Sequence, residues 1–406
     1  MENKVNNRFT IEYALIHILF QALAGIVYGF TVYYLIERGY SASMAGLCLS
    51  ITNFIGFVFQ PIISNFLDRS RKISVFEVTS LICIAMSIVY LFNFFVLDGS
   101  IFIFIIQIIF ISLYQLIEPL LNSICNLLHL NGIEIEFGVV RALGSFSYGV
   151  ICVAFGFLTN LYSYFSVIIG GFVFSIILTL IFIFLRNDYS HLQKVSSTTI
   201  DKGRLVSFSK FLKDHKYYVF VCLFLVGILF GYLSIDNFMY LVVENVGGDS
   251  SDLGLILGIK ALFETFGMIL FAKLVKKIDI VKLLSISAVG FIIKIASVTF
   301  SNSIFLIYLS QIAQTISFAF VFPGMVEYAN KTMKKSESIR GQALFSMSIC
   351  LGSVISSSIC GVVSDNFGVS AMCKLSLIVT ALSSVGFIYY LIKDSKKHHE
   401  QAQRIY

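Results

Sequence analysis

The sequence predicts an all-α membrane protein with twelve transmembrane helices in two six-helix bundles. Three observations predict it. Of 406 residues, 57% are hydrophobic and only 13% charged, with a mean hydropathy of +0.88, whereas a soluble domain keeps roughly a quarter of its residues charged. Apolar stretches of about twenty residues, the length that crosses a hydrocarbon core, recur along the whole chain. Lys and Arg fall almost entirely on alternate connections. A soluble enzyme and a disordered chain are both excluded by this composition.

The first span, Thr10–Ile36, is too long for a signal-peptide core and has no small-residue cleavage site after it, so it is expected to be retained. Spans 2 to 6 follow at Met44–Leu67, Ile73–Leu97, Ile101–Leu128, Phe137–Asn160 and Ser163–Leu185. A polar stretch, Arg186–Lys216, then separates six spans from six. Spans 7 to 12 are Tyr217–Val243, Leu253–Val275, Ile280–Phe300, Ile304–Ala329, Gln342–Val363 and Ser370–Ile392. The expected organisation is an N-terminal bundle at 1–185, a cytoplasmic loop at 186–216, and a C-terminal bundle with a short tail at 217–406.

With the N-terminus inside, twenty-four of the twenty-nine Lys and Arg lie on the cytoplasmic face, Arg38 and Lys374 lie on the other, and Arg141, Lys260 and Lys294 fall within spans. The positive-inside rule then puts both termini in the cytoplasm of a multi-pass cell-membrane protein. The net charge of +6 thus reports topology and contact with the lipid bilayer, not a nucleic-acid partner. Eight scattered Cys without a CxxC pair, and no His cluster, indicate neither a metal site nor a cofactor. No GxxxxGK[ST] stretch marks an ATP-driven pump, and no HExxH or GxSxG motif marks an enzyme.

Some stretches carry a resemblance. Phe59-Gln60-Pro61 leading to Asp68-Arg69-Ser70-Arg71-Lys72 resembles the signature between helices 2 and 3 of the major facilitator superfamily, GxxxDRxGRR, with Ser64 at the first Gly and the inner Gly missing. The FQP triplet, and Glu136-Phe137-Gly138-Val139-Val140-Arg141-Ala142-Leu143-Gly144 opening span 5, resemble the oligosaccharide:proton symporter (lactose permease-like) branch. Gly361-Val362-Val363-Ser364-Asp365 extends the likeness into span 11. The resemblance implies the major facilitator fold, a solute cavity lined by helices 1, 4, 7 and 10, and sugar binding by the counterpart of Arg141. It also sets Tyr148 where those permeases stack a Trp on the sugar ring. Lys294 aligns with an Arg used in proton coupling, and Asp236 with an Asp that forms an ion pair. The His and Glu of their helix 10 correspond to Gln314 and Ser317 here, and the binding Glu of helix 4 aligns near Asn122.

Polar residues within the spans point the same way. Lipid-facing positions should be apolar, so in-phase polar stripes mark faces turned to protein or water. Such stripes are Tyr13, His17, Gln21 and Tyr28 in span 1, and Gln115, Glu118, Asn122 and Asn126 in span 4. Tyr232, Asp236, Asn237 and Tyr240 in span 7, and Gln311, Gln314 and Ser317 in span 10, make two more. The candidate solute-binding set is Arg141, Asn122, Glu118, Tyr148, His17, Gln21, Asp236, Gln311 and Gln314. Plain interhelical packing accounts for single residues of this kind, and headgroup snorkelling is the bland reading of Arg141. In span 8, Lys260 and Glu264 are four apart and suited to pair along one face. The candidate coupling set is Glu264, Lys260, Asp236, Lys294 and Glu118, with Glu264 the first choice and Glu118 facing Arg141. Asp68, Arg69, Arg71, Lys72 and Glu77 read as a cytoplasmic gate cluster.

The expected function is secondary active transport by alternating access, in a monomer that takes up a small polar solute, a sugar or nucleoside, coupled to H⁺. Proton-coupled efflux of amphiphilic compounds is the alternative, and a non-transporting membrane sensor a further one.

Overall fold

The computed structural model describes residues 2–69, 74–190 and 208–403, with side chains for all of these but 2–7, 64–69, 137, 187, 188, 190, 208–210, 335, 336 and 398–403. Among the described residues there is no strand, and twelve helices are long and apolar enough to cross a membrane. They are α1 (Arg8–Glu37), α2 (Ala42–Ile63), α3 (Val75–Phe94), α4 (Ile101–Leu130), α5 (Gly138–Tyr162) and α6 (Phe165–Arg186), then α7 (Lys216–Asn237), α8 (Ser250–Leu274), α9 (Ile280–Thr299), α10 (Ile304–Thr332), α11 (Glu337–Phe367) and α12 (Val369–Lys397). Each lies over its expected span. The seventh differs most, because the helix breaks at Phe238 and resumes as a separate seven-residue helix of about two turns, Met239–Asn245. The eleventh is longer than its apolar stretch, since hydropathy ends where charge begins but helical hydrogen bonding does not.

The chain forms two compact units, Met1–Asp201 with Asp249–Gly258, and Lys202–Gly248 with Ile259–Tyr406. The first turns of α8 therefore count with the first unit, a detail the 186–216 boundary does not contain. In the first unit α1 packs along α5 and α6, and α4 along α2 and α3. In the second, α7 lies against α11 and α12, and α9 against α10 and α12.

Close helix contact rests on glycine. In the first unit a Cβ at Gly254 would sit 2.4 Å from the Cys152 carbonyl oxygen and 2.7 Å from Gly156 Cα. One turn on, a Cβ at Gly258 would meet Val153 at 2.6 Å. The Gly254-x-x-x-Gly258 spacing puts both glycines on one face, which lets backbones approach where lipid gives no hydrophobic drive for association.

The three prolines, Pro61, Pro119 and Pro323, all lie inside helices. Each removes an amide hydrogen that would bond four residues back. At Pro119 the freed acceptor is the Gln115 carbonyl, and Gln60 Nε2 of α2 donates to it at 3.2 Å. Arg38, one of the two cations on the sparsely charged face, is buried, pairs with Asp98 and donates to the Val96 carbonyl at 2.6 Å. Its guanidinium also lies 5.0 Å from the Tyr164 ring centre. The exception to the charge pattern is thus a clamp between loops.

Gly254→Leu should lower the melting temperature and the yield of monodisperse protein in detergent, by overpacking worth about 1–3 kcal/mol. Gly247→Ala should cost less, because Gly247 has positive φ but no atom within 4 Å of its Cβ position.

Candidate functional site

The first unit assembles its polar residues around α1 and α5. Tyr13 Oη donates to the Leu121 carbonyl at 3.0 Å. Its hydrogen is thereby used, so His17 Nε2, 3.1 Å away, is the donor to Tyr13 Oη, which fixes where the ring carries a proton. Arg141 of α5 lies near enough to act electrostatically on His17. Gln21 packs on Gly144, where a Cβ would come within 2.9 Å of its Cγ. Ser147 Oγ donates to the Ile18 carbonyl at 3.0 Å, and half-buried Tyr148 follows it on α5. Arg141, His17, Gln21 and Tyr148 are therefore gathered along one α1–α5 seam.

Helix α4 contributes differently. Leu120 and Leu121 are buried, while Glu118, Asn122 and Asn126 form an exposed stripe. Carboxamides and a carboxylate on the open face of a spanning helix require water or a polar ligand there. Glu118 is expected to face Arg141. Its electrostatic neighbours are Tyr28 and Tyr114, and no ion pair joins it to Arg141 among the described residues. Gln115 Nε2 donates to Asn53 Oδ1 of α2 at 3.1 Å, with Gly56 leaving it room. Asn53 escaped the sequence reading, although its seven-residue spacing from Gln60 puts both on one face of α2.

The second unit holds a network of charges. Lys260 Nζ of α8 donates to both carboxylate oxygens of Asp236 of α7, at 2.9 and 3.0 Å. This corrects the expected pairing of Lys260 with Glu264 along α8. Glu264 Oε2 instead accepts from Gln314 Nε2 at 2.9 Å, and the same nitrogen donates to Tyr232 Oη at 3.1 Å. Gln314 Oε1 accepts from Lys294 Nζ of α9. That ammonium stands 4.8 Å from the Tyr232 ring centre, and Tyr232 stacks on Phe318 at 5.2 Å. Two lysines and two carboxylates make the set neutral. A short range across helices beats an i,i+4 link here because the interior partner also removes Asp236 from poor solvation.

Helix α10 makes this geometry by breaking. It is α-helical over Ile304–Ser310, 3₁₀ over Gln311–Thr315, and α-helical again from Phe318. Two glycines accommodate the break: a Cβ at Gly267 of α8 would meet the Thr315 carbonyl at 2.4 Å, and one at Gly290 of α9 the Ser317 nitrogen at 3.1 Å. Gln311 and Gln314 are both fully buried. Gln311 turns back on its own helix, donating to the Ile307 carbonyl at 3.3 Å and Ser310 Oγ at 3.0 Å.

Of the expected gate cluster, Glu77 joins a capping box with Ser74 and pairs with Arg186 at 2.8 Å. That pair is well exposed and worth about 0–1 kcal/mol. The side chains of Asp68 and Arg69, and the whole of Arg71 and Lys72, lie outside the described residues.

Twelve helices long and apolar enough to span a membrane, in two units, are the architecture of a polytopic membrane protein, and the family match makes it a transporter of the major facilitator type. The chain belongs to the MFS_1 like family, whose model matches residues 10–375. It is 22% identical over 373 residues to the uncharacterized transporter YwbF of Bacillus subtilis (strain 168), covering 89% of this chain and 88% of that one. The crystal structure of the nucleoside transporter NupG matches with a TM-score of 0.78 at 17% identity, covering 95% of this chain and 99% of that one. A bacterial homologue of the iron transporter ferroportin, in an inward-facing state, matches with a TM-score of 0.69 at 13% identity, covering 95% and 98%.

A double-mutant cycle tests the Asp236–Lys260 pair. Lys260→Ala alone should destabilise the protein by about 3–5 kcal/mol, because it strands a carboxylate in the interior. Adding Asp236→Ala should recover a large part of that loss in the thermal midpoint, and additive effects would show that the two side chains are not coupled.

Proposed function

We propose that the protein takes up a small polar solute, a nucleoside or a sugar, by alternating access coupled to H⁺, with both termini in the cytoplasm. The observation that carries this reading is the neutral network of Asp236, Lys260, Lys294 and Glu264 joined through Gln314. Its hydrogen bonds depend on the protonation of Glu264. As a carboxylate, Glu264 accepts from the Gln314 amide, and that amide's oxygen accepts from Lys294. A proton on Glu264 Oε2, the oxygen that faces Gln314, turns that acceptor into a donor. Gln314 must then present its oxygen to Glu264, Lys294 loses its acceptor and turns toward Asp236, and the hold of Asp236 on Lys260 weakens. One proton is thereby read out as a change of partners across α7, α8, α9 and α10, which is the kind of bistable element a coupled transporter needs.

Solute recognition falls to the first unit. Arg141 offers a planar fork of donors suited to adjacent hydroxyls, as on a ribose or hexose. Tyr148 supplies an aromatic face, His17 and Gln21 further hydrogen bonding, and Glu118 and Asn122 acceptors on the open side of α4. The likeness of the fold to NupG favours a nucleoside among the polar solutes. Gln314 and Ser317 stand where the lactose permease-like branch has its His and Glu, which moves coupling onto Glu264 and away from helix 10.

Purified protein in proteoliposomes, offered a panel of labelled nucleosides and sugars under an imposed ΔpH, tests the reading. Glu264→Gln should keep solute exchange at equal concentrations on both sides and lose ΔpH-driven accumulation. Accumulation at the wild-type level would remove Glu264 from coupling. Arg141→Lys keeps the charge but not the fork, so binding of the accepted solute should weaken by about tenfold or more, with folding unchanged. Unaltered affinity would return Arg141 to headgroup contact.

A further inference from the structure

A groove of about 450 Å³ lies between the N-terminal end of α9 and the C-terminal end of α12, in the second unit. It is lined by Asp279, Val281, Lys282, Ser285, Ile392, Ser395 and Lys396. We propose that this groove binds the phosphate headgroup of an anionic phospholipid.

Three features carry the assignment. First, each wall ends an apolar stripe. On α9, Ile286, Val289 and Ile293 are exposed and follow Lys282 at steps of four, three and four. On α12, Ile378, Leu382, Val385, Tyr389 and Ile392 are exposed at the same steps and lead to Lys396. Such stripes on spanning helices are the faces that meet acyl chains. Both run into a lysine at the same groove, so a lipid lying along them brings its phosphate to the two ammonium groups.

Second, the two lysines are uncommitted. Neither Lys282 nor Lys396 has an ion pair or hydrogen bond among the described residues. Their neighbours on α12 are engaged: Lys393 lies 4.9 Å from the Tyr217 ring centre, and Lys397 Nζ donates to the Asp214 carbonyl at 2.7 Å. The one carboxylate in the lining caps α9, Asp279 Oδ1 accepting from Val281 N at 2.9 Å. With two lysines against one carboxylate, the groove lining carries a formal net charge of +1. Third, its chemistry is mixed in the way a headgroup needs. The hydroxyls of Ser285 and Ser395 sit beside Val281 and Ile392, polar contacts for phosphate next to apolar contacts for the glycerol end of the chains. A free anion would use the lysines but gain nothing from the stripes.

The test is native mass spectrometry of delipidated full-length protein titrated with phosphatidylglycerol or phosphatidylcholine. Wild type should retain phosphatidylglycerol in preference to phosphatidylcholine. Lys282→Gln with Lys396→Gln should lower phosphatidylglycerol affinity by about tenfold or more. Lys276→Gln with Lys277→Gln removes the same charge from exposed positions outside the groove and should leave affinity within about twofold of wild type. Ser285→Phe fills the groove at constant charge and should reproduce the loss. Size-exclusion profiles identical to wild type confirm that all variants are folded, and a variant that fails this check is replaced by the single substitutions Lys282→Gln and Lys396→Gln. Equal loss in both lysine pairs would reduce the effect to general charge and overturn the site. So would equal retention of phosphatidylcholine, or displacement of phosphatidylglycerol by excess inorganic phosphate.

Discussion

A charge at membrane depth has to be matched by another charge or reached by water, and the second unit is arranged around the first solution. Each ionised side chain at the centre of a spanning helix costs about 3 kcal/mol on insertion scales. Asp236, Lys260, Lys294 and Glu264 bring four such groups onto three helices. They are tolerable together because the set sums to zero and nearly every donor has an acceptor. Tyr232 and Gln314 fill the remaining places, one by its ring and hydroxyl, the other by using both ends of its amide. The same neutrality makes the set responsive. Adding one proton to a balanced, poorly solvated group of charges leaves one ammonium in excess, and the structure around it must rearrange or take in water.

The backbone obeys the same rule on a smaller scale. Hydrocarbon supplies no partner for an unpaired amide or carbonyl, so every interruption of a spanning helix must be closed by a side chain or a neighbour. Pro119 opens the Gln115 carbonyl, and Gln60 closes it. Beside the α10 break, Ser287 Oγ of α9 donates at 2.7 Å to the Ser317 carbonyl, which the Phe320 and Val321 amides also share. These repairs work only where helices come close, which is the role of Gly56 beside Gln115 and of Gly267 and Gly290 beside the α10 break. Small residues and irregular backbone are thus one arrangement. The irregular backbone in turn sets Gln314 between Lys294 and Glu264.

Much of this was legible in the sequence because the membrane imposes a strong and simple code. Length and hydropathy gave all twelve spans to within a few residues, and period-3.6 polarity marked the faces of α1, α4, α7 and α10. What the code does not contain is which polar residue meets which. Lys260 and Glu264 sit four apart on one helix, so local spacing nominates them as a pair, but Asp236 of another helix supplies both carboxylate oxygens. Gln311 and Gln314 belong to one stripe on a regular helix. The 3₁₀ segment turns them to different tasks, and no residue in Gln311–Thr315 announces it. Arg38 looked like a stray cation on the wrong face, whereas its partner Asp98 lies sixty residues on and only folding brings it near.

The two units use their polar residues in opposite ways, and this bears on how labour is divided between them. In the second unit the hydrogen-bonding capacity of the buried network is consumed internally: Gln314 donates twice and accepts once, and Lys260 is forked onto Asp236. A solute has little to gain from groups already matched, and removing any of them leaves a bare charge. In the first unit Glu118, Asn122 and Asn126 stand exposed along α4, so their capacity is open to water or to a ligand. Exchanging water for the hydroxyls of a solute costs little at such positions, and it discriminates strongly against analogues that lack them. Open polar groups suit recognition and closed, neutral networks suit a proton-sensitive switch, which is the distribution the proposed mechanism requires.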